Sequence, residues 1–304
     1  MTADNSSLMG VILVNKPKNW TSFDVCGKLR CMLHIKRIGH TGTLDPMAEG
    51  VLPVLVGKAA KACDILPESG KEYRAGFKLG LSADTQDITG VTLETDDVPV
   101  TAMQLESVLS GFKGVYMQTP PMYSAVKVDG KKLYEYAREG KEIKREPKER
   151  YVHSIRLLSY DEQTREGETE LTVSKGTYIR TLIADAAQRL GTHGVMTSLV
   201  RTRACGFSLD ECLTIDQLQA LADKGEIGKA VISLERVFDG YPVVQLDEKK
   251  TVHFKNGVKF RPVQLGIKAN DESQRLLIKS KDVLLSVAYI DNDKNEVRSL
   301  RNFY

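Results

Sequence analysis

Two short apolar runs dominate the first sixty residues. Positions 10–14 (GVILV) end at Asn15-Lys16-Pro17, which predicts a strand leaving into a turn. Positions 51–56 predict a second strand, and 57–66 a helix behind it. Between the runs, Thr21-Ser22 caps a segment, 23–33, whose apolar residues recur at helical spacing. Over 71–79 the apolar residues alternate as Tyr73, Ala75, Phe77 and Leu79, the pattern of a half-buried strand. Helices are predicted over 101–111, over 178–190 with Gly191 as the stop, and over 214–222, where Asp216 and Gln217 fall in the first turn. A strand is predicted at 171–173. Beyond Asp239-Gly240-Tyr241-Pro242 the pattern changes to short strands at 243–246, 276–278 and 283–289. The chain therefore reads as α+β: a mixed β-sheet core with flanking helices over 1–239, then a small β-rich module over 240–304. Residues 120–150, dominated by Lys, Arg, Glu, Tyr and Gly, predict a surface excursion with little to fill a core.

Charge changes this picture only in part. The 304 residues carry a net +3, distributed as +3 over 1–64, −4 over 65–119, +3 over 120–150, −3 over 151–239 and +4 over 240–304. Three basic blocks folded onto one face would make a groove for a polyanion, but a mixed soluble surface gives the same count. Cys26, Cys31, Cys63, Cys205 and Cys212 are odd in number and show no CxxC spacing, which argues against a disulfide framework or a zinc cage. The longest purely apolar run is about six residues, far short of a membrane span. The first residues lack a basic region followed by a long apolar stretch, so no secretory signal is read and a cytoplasmic location is expected.

Candidate chemistry lies in residues 39–61, GHTGTLDPMAEGVLPVLVGKAAK. Two glycines and a proline around one aspartate suggest a loop presenting the Asp45 carboxylate with little freedom. Asp before Pro is also an ordinary turn starter, and His40 reads equally as a hydrogen-bonded loop histidine. Gly57-Lys58 lacks the preceding glycines of a phosphate loop, and Gly39 with Gly42 does not match GxGxxG. Pattern alone yields a constrained loop with an acid.

The same stretch resembles the catalytic motif of the TruB family of tRNA pseudouridine-55 synthases, GHTGxLDPxAxGxLxxxxGxATK, with Ala60 in place of the usual Thr. Five further segments resemble that family in order. Asn15 to Ser22 is similar to NKPxGxTS, with Asn19 replacing Gly, the next best residue for a left-handed turn. Lys71-Glu72-Tyr73-Arg74 with Asp84-Thr85-Gln86-Asp87, QTPPMYSAVKVDGKKLYEYAR from Gln118, KGTYIRTL from Lys175, and the stretch from His193 to Phe207 complete the likeness.

The resemblance implies a pseudouridine synthase catalytic domain followed by a PUA-like RNA-binding module over 240–304. It implies isomerisation of uridine-55 in the tRNA T-loop: N1–C1′ breaks, the base turns over and C5–C1′ forms. Nothing is oxidised and no water is consumed, so no cofactor and no metal is expected. The implied catalytic residues are Asp45, Tyr73 and Arg180. Asp45 attacks C1′, attacks C6, or acts as a base at C2′; the sequence leaves all three open. Arg180 is expected to pair with Asp45 and keep it charged in a dry site. Tyr73 packs on the uracil, Tyr178 and Leu199 line its pocket, and His40 contacts the RNA beside the flipped base. Lys16 is placed among the RNA-binding residues while its expected service is support of the catalytic loop. Lys127, Lys131, Lys132, Arg138, Lys141 and Lys144, with Tyr123, Tyr134 and Tyr136 interleaved, are expected to face phosphates of the T-arm.

Partners follow from the same likeness: tRNA, no membrane and no obligatory protein, with a monomer expected. Two competing readings are an RNA-binding or RNA-folding protein without catalysis and the catalytic subunit of a guide-RNA complex. The presence of Asp45, Tyr73 and Arg180 opposes the first. A short lead-in over 1–9 and no long basic tail favour a stand-alone enzyme over the second.

Overall fold

The structure is a computed structural model that describes residues 8–67, 70–267 and 275–304; the lead-in before Leu8 lies outside them. The two apolar runs become β1 (Gly10–Lys16) and, after α1 (Ser22–Leu33) and the short β2 (Ile38–His40), β3 (Glu49–Val56). β1 and β3 pair antiparallel and are covered on both faces, which is why their runs are continuous rather than alternating. Ile12, Val14, Leu52 and Val54 share a core with Val25, Leu29 and Leu33 of α1. Val11, Leu13, Val51 and Leu55 share another with Phe207, Phe238 and residues of the C-terminal module. Thr21 caps α1 in a capping box with Asp24.

β4 (Lys71–Leu79) is the expected alternating strand, followed by the hairpin of β5 (Leu81–Ala83) and β6 (Thr92–Thr95), then α2 (Ala102–Ser110) and β7 (Gly114–Gln118). The basic segment folds as a small hairpin, β8 (Lys127–Val128) and β9 (Lys131–Lys132), with α3 (Leu133–Arg138). After it come β10 (Lys148–Asp161), β11 (Glu166–Val173), α4 (Ile179–Arg189), β12 (Gly194–Ala204), β13 (Phe207–Ser208) and α5 (Ile215–Asp223). The main sheet runs β1-β3-β12-β4-β11-β10-β7, with β2 on β3 and β13 on β12. β3 and β12 pair parallel through only Glu49 opposite Val200 and Gly50 opposite Arg201. Gly50 sits at φ 101°, and a β-carbon there would lie 2.3 Å from the Arg201 carbonyl, so only glycine fits this seam. α2 and α4 cover β4 and β11 over the largest core.

The remaining chain forms β14 (Val243–Gln245), α6 (Glu248–Lys255), β15 (Arg275–Ser280), β16 (Val283–Asp291) and β17 (Glu296–Asn302), a four-stranded sheet in chain order. Leu276, Ile278, Leu285 and Ala288 pack with Phe254 in the module's own core. Leu277, Leu284 and Val287, on the opposite face, pack into the core shared with β1 and β3. The mixed sheet with flanking helices and a β-rich C-terminal module is thus what the sequence pattern predicts.

Local readings need correction. Residues 57–66 form a 3₁₀ helix over Gly57–Ala62 and then turns, not a regular helix. The segment 120–150 has few buried side chains, as expected, though Leu133 is fully buried and Ser124 nearly so. Strands β10, β12 and β17 and helix α6 carry more structure than the pattern announces.

Candidate active site

Asp45 lies in the loop between β2 and β3, and the turn after β1 holds that loop from beneath. Lys16 Nζ donates to the carbonyls of Pro17 (2.9 Å), Trp20 (2.6 Å) and Pro46 (3.2 Å). Asn19, at φ 65° as its left-handed position requires, donates its N–H to Pro46 at 2.8 Å. Ser22 Oγ accepts the Leu44 N–H at 2.9 Å and donates to the Leu44 carbonyl at 3.2 Å. Arg201, fully buried, donates to Val51 at 2.7 Å and to Gly42 at 3.1 Å. The backbone on both sides of Asp45 is fixed while its side chain stays 36% exposed.

This corrects one sequence expectation. Lys16 is completely buried and occupied by three carbonyls, so it supports the loop and does not meet phosphates. Burial lowers its amine to about 8, against the opposing pull of Glu49 and Asp45.

Arg180, at the start of α4, closes over the loop. Its Nη2 lies 3.6 Å from Asp45 Oδ2 and its Nη1 4.0 Å from Asp87 Oδ2. It also donates to the carbonyls of Tyr123 (2.6 Å) and Thr85 (3.3 Å), which fixes the guanidinium plane. Asp87 is buried and held by Thr85 Oγ1 at 2.9 Å and by the Thr89 N–H at 2.9 Å. Arg180 thus sits between two carboxylates, one buried and structural, the other reaching a cavity. Gln118, buried at the end of β7, bonds both backbone groups of Tyr178, two residues before Arg180.

The cavity above Asp45 has a volume of about 540 Å³. Asp45, Tyr73, Arg180, His40, Tyr178 and Leu199 all line it, so the six residues placed there by resemblance meet in one space. Tyr73 comes from β4, Leu199 from β12, and Tyr178 from the cap of α4, with the Arg180 guanidinium 5.6 Å from its ring centroid. His40 has a buried Nδ1 without a partner among the described residues, and burial, with Arg201 and Lys71 nearby, holds its imidazole below the usual pKa. A neutral histidine is a stacking or hydrogen-bonding surface rather than a charge.

The basic segment borders this cavity through Tyr134 and Tyr123; the Tyr123 hydroxyl donates to Asp84 at 2.9 Å. Lys132 and Arg138 lie 5.4 and 5.3 Å from the Tyr134 ring centroid, while Lys127 and Arg138 are exposed. Lys131 is bonded to Glu139 and lies 4.7 Å from the Tyr136 ring centroid, so its charge is largely answered within the segment. None of these four basic residues enters the cavity.

Asp87, Gln118, Ser22 and Arg201 were not singled out by sequence reasoning. Each belongs to a motif segment, but none has a pattern that separates a buried anchor from an ordinary polar position.

The profile of the TruB family pseudouridylate synthase (N terminal domain) matches residues 30–179. A protein of Bacillus cytotoxicus named tRNA pseudouridine synthase B is 42% identical over 256 residues, 82% of this chain and 83% of its own. The protein of that name in Bacillus subtilis strain 168 is 43% identical over 255 residues, 82% of either chain. Among solved structures, a chain from a Cbf5-Nop10-Gar1 complex superposes with a TM-score of 0.71 at 26% identity, covering 97% of this chain and 85% of that one. A chain from an archaeal box H/ACA sRNP Nop10-Cbf5 complex shares the fold, with a TM-score of 0.72 at 22% identity over 97% and 86% of the two chains. This chain is a member of the TruB family of pseudouridylate synthases.

Proposed function

We propose that this enzyme isomerises uridine-55 in the T-loop of tRNA to pseudouridine, without a guide RNA, and that Asp45 is its essential carboxylate. The observation that carries this reading is the Asp45–Arg180 pair, 3.6 Å apart, at the wall of a cavity also lined by Tyr73, Tyr178 and Leu199. The reaction breaks N1–C1′ and forms C5–C1′; a proton leaves C5 and one is gained at N1, so atoms and charge balance without an added reactant. A uracil stacked in a folded loop exposes neither C1′ nor C5, so the nucleotide has to leave the stack and enter the cavity.

In that position each side chain has a distinct task. Asp45 meets the sugar or ring while Arg180 offsets the cost of keeping a carboxylate charged under a base. Tyr73, buried on β4, presents its ring to the uracil and its hydroxyl to the C5 proton. Leu199 and Tyr178 exclude water, and His40 fills space beside the displaced base. Lys127, Lys132 and Arg138 meet T-arm phosphates, with Lys131 contributing once Glu139 releases it. The module over 240–304 extends the RNA contact, and the enzyme acts as a monomer in the cytoplasm. Among the described residues no helix is long and apolar enough to cross a membrane.

The test is product mapping on a tRNA transcript. Pseudouridine confined to position 55, and lost when that uridine is replaced by cytidine, is the expected result. Modification spread over several uridines would reject the site assignment.

A further inference from the structure

Three cations converge on the catalytic loop where the uridine chemistry does not use them. A β-carbon at Gly42 would lie 2.5 Å from Lys71 Nζ and 3.8 Å from Arg201 Nη1, so both side chains reach the loop at one point. Lys175 stands close enough that, after burial and Arg201, it also disfavours a proton on the Lys71 amine. Among the described residues none of the three forms an ion pair; Glu72, the carboxylate adjoining Lys71 in sequence, pairs with Arg203 at 3.4 Å.

Like charges gathered without an ion-pair partner are costly, and among the described residues the surrounding polar atoms are unmet as well. Arg201 is 0% exposed and Thr41 9% exposed, yet among the described residues Arg201 Nη1 and Thr41 Oγ1 have no hydrogen-bond partner. His40 Nδ1 beside them is also unpartnered. Thr41, Lys71 and Lys175 line both the uridine cavity and a second cavity of about 440 Å³, which continues to Cys205, Tyr241 and Arg275. The cluster therefore stands at the boundary a strand must cross if one nucleotide enters the first cavity and its neighbour follows the surface.

We propose that this cluster is an anion subsite that grips one phosphodiester adjoining the flipped uridine. Lys71 and Lys175 meet the phosphate oxygens, the Thr41 hydroxyl donates to one of them, and Arg201 supplies a fixed positive charge behind. The proposal rests on the uridine reading of the cavity and adds a backbone contact that fixes the sugar above Asp45. Phosphate contacts position without reading sequence, which is what a loop carboxylate needs from a substrate.

The experiment uses the full chain and a T-arm hairpin whose phosphates are replaced one at a time by methylphosphonate. In wild type, one linkage next to the target uridine is expected to weaken binding about tenfold, with smaller effects elsewhere. In Lys71→Met that linkage has no further effect, and the slope of log affinity against log salt falls by about one. Lys175→Met, at an exposed position, serves as the second variant if Lys71→Met does not fold. Inorganic phosphate, titrated separately, distinguishes the source of the anion. Competition by free phosphate without any linkage-specific effect would overturn the phosphodiester assignment, as would unchanged salt slopes in both variants. Tritium release from C5-labelled wild-type substrate keeps the two readings apart. Release with no linkage effect rejects the subsite alone, whereas a linkage effect without release rejects the reaction and leaves the subsite.

Discussion

Gln118 is 1% exposed, and its amide holds Tyr178 at both backbone groups: Nε2 donates to the carbonyl and Oε1 accepts from the N–H, each at 2.8 Å. Tyr178 is the cap of α4, and Arg180 follows two residues later, so this amide sets where the guanidinium stands over Asp45. Gln118→Leu removes both bonds to Tyr178 at similar volume, together with a long one from Nε2 to the Tyr116 hydroxyl (3.5 Å), which keeps Asp185 as its partner. The Tyr178 carbonyl keeps a partner, the Leu182 N–H at 3.1 Å, so only the Tyr178 N–H is orphaned. An orphaned buried donor costs about 1–3 kcal/mol and loss of the second bond about 1 kcal/mol. Because Tyr178 itself is half-buried and water can reach part of it, the low end applies, about 2 kcal/mol. That corresponds to a fall in Tm of about 3 °C for a chain of 304 residues.

The catalytic effect should be larger than the loss of stability. A displacement of about 1 Å at a reacting group costs on the order of 10²-fold in rate. Single-turnover tritium release, measured well below the Tm at saturating enzyme, should fall by about that factor while RNA affinity changes little. Gln118→Glu, which keeps the acceptor for the Tyr178 N–H but loses the donor to its carbonyl, should fall between. A wild-type single-turnover rate in Gln118→Leu, with or without a changed Tm, would refute the view that this amide positions Arg180.

Three further outcomes are expected. Arg180→Lys supplies a point charge that cannot reach Asp45 and the Tyr123 and Thr85 carbonyls together, so single-turnover rate should drop at least about 10²-fold, and rescue by lysine to near wild type would contradict the geometry. Ser22→Ala orphans the buried Leu44 N–H beside Asp45 and should cost about 1–3 kcal/mol in denaturant unfolding; an unchanged midpoint would remove Ser22 from the loop's support. The Lys71 amine, lowered to about 8 by burial and by Arg201, is charged below that pH and neutral above it, so RNA affinity should decline as pH rises through about 8 in wild type but not in Lys71→Met; parallel profiles would show that another group titrates.

Elements whose side chains obey one period were legible in the sequence, and elements that mix periods were not. β1, β3 and β4 show as continuous or alternating apolar runs because burial decides every position. β12 does not, since two bulges interrupt its pairing with β4 and its largest fully buried side chain, Arg201, reads as polar. β10 is hidden in the same way, with bulges at Val152/Ser154 and Leu157/Ser159 and an outer face of charged residues. α6 buries only Phe254 and leaves almost no helical stripe. The site was legible through motif resemblance at Asp45, Tyr73, Arg180, His40, Tyr178 and Leu199, all of which line one cavity. The anchors behind them were not, because a serine that bonds Leu44 or a glutamine that clamps Tyr178 looks like any other polar residue until the chain is folded. Lys16, placed among the RNA-binding residues yet expected to support the catalytic loop, is completely buried under three carbonyls, which fits the second expectation and not the first.

The most direct measurement is tritium release from a tRNA transcript labelled at C5 of uridine, comparing wild type with Asp45→Asn. Asn keeps the shape and the neighbouring hydrogen bonds while removing the charge that faces Arg180 at 3.6 Å. Release of about one tritium per tRNA by wild type, from the T-loop alone, with none by Asp45→Asn and equal tRNA binding by both, is the expected result. Release at equal rates by both proteins would contradict the central claim, because the essential carboxylate would then have to be another.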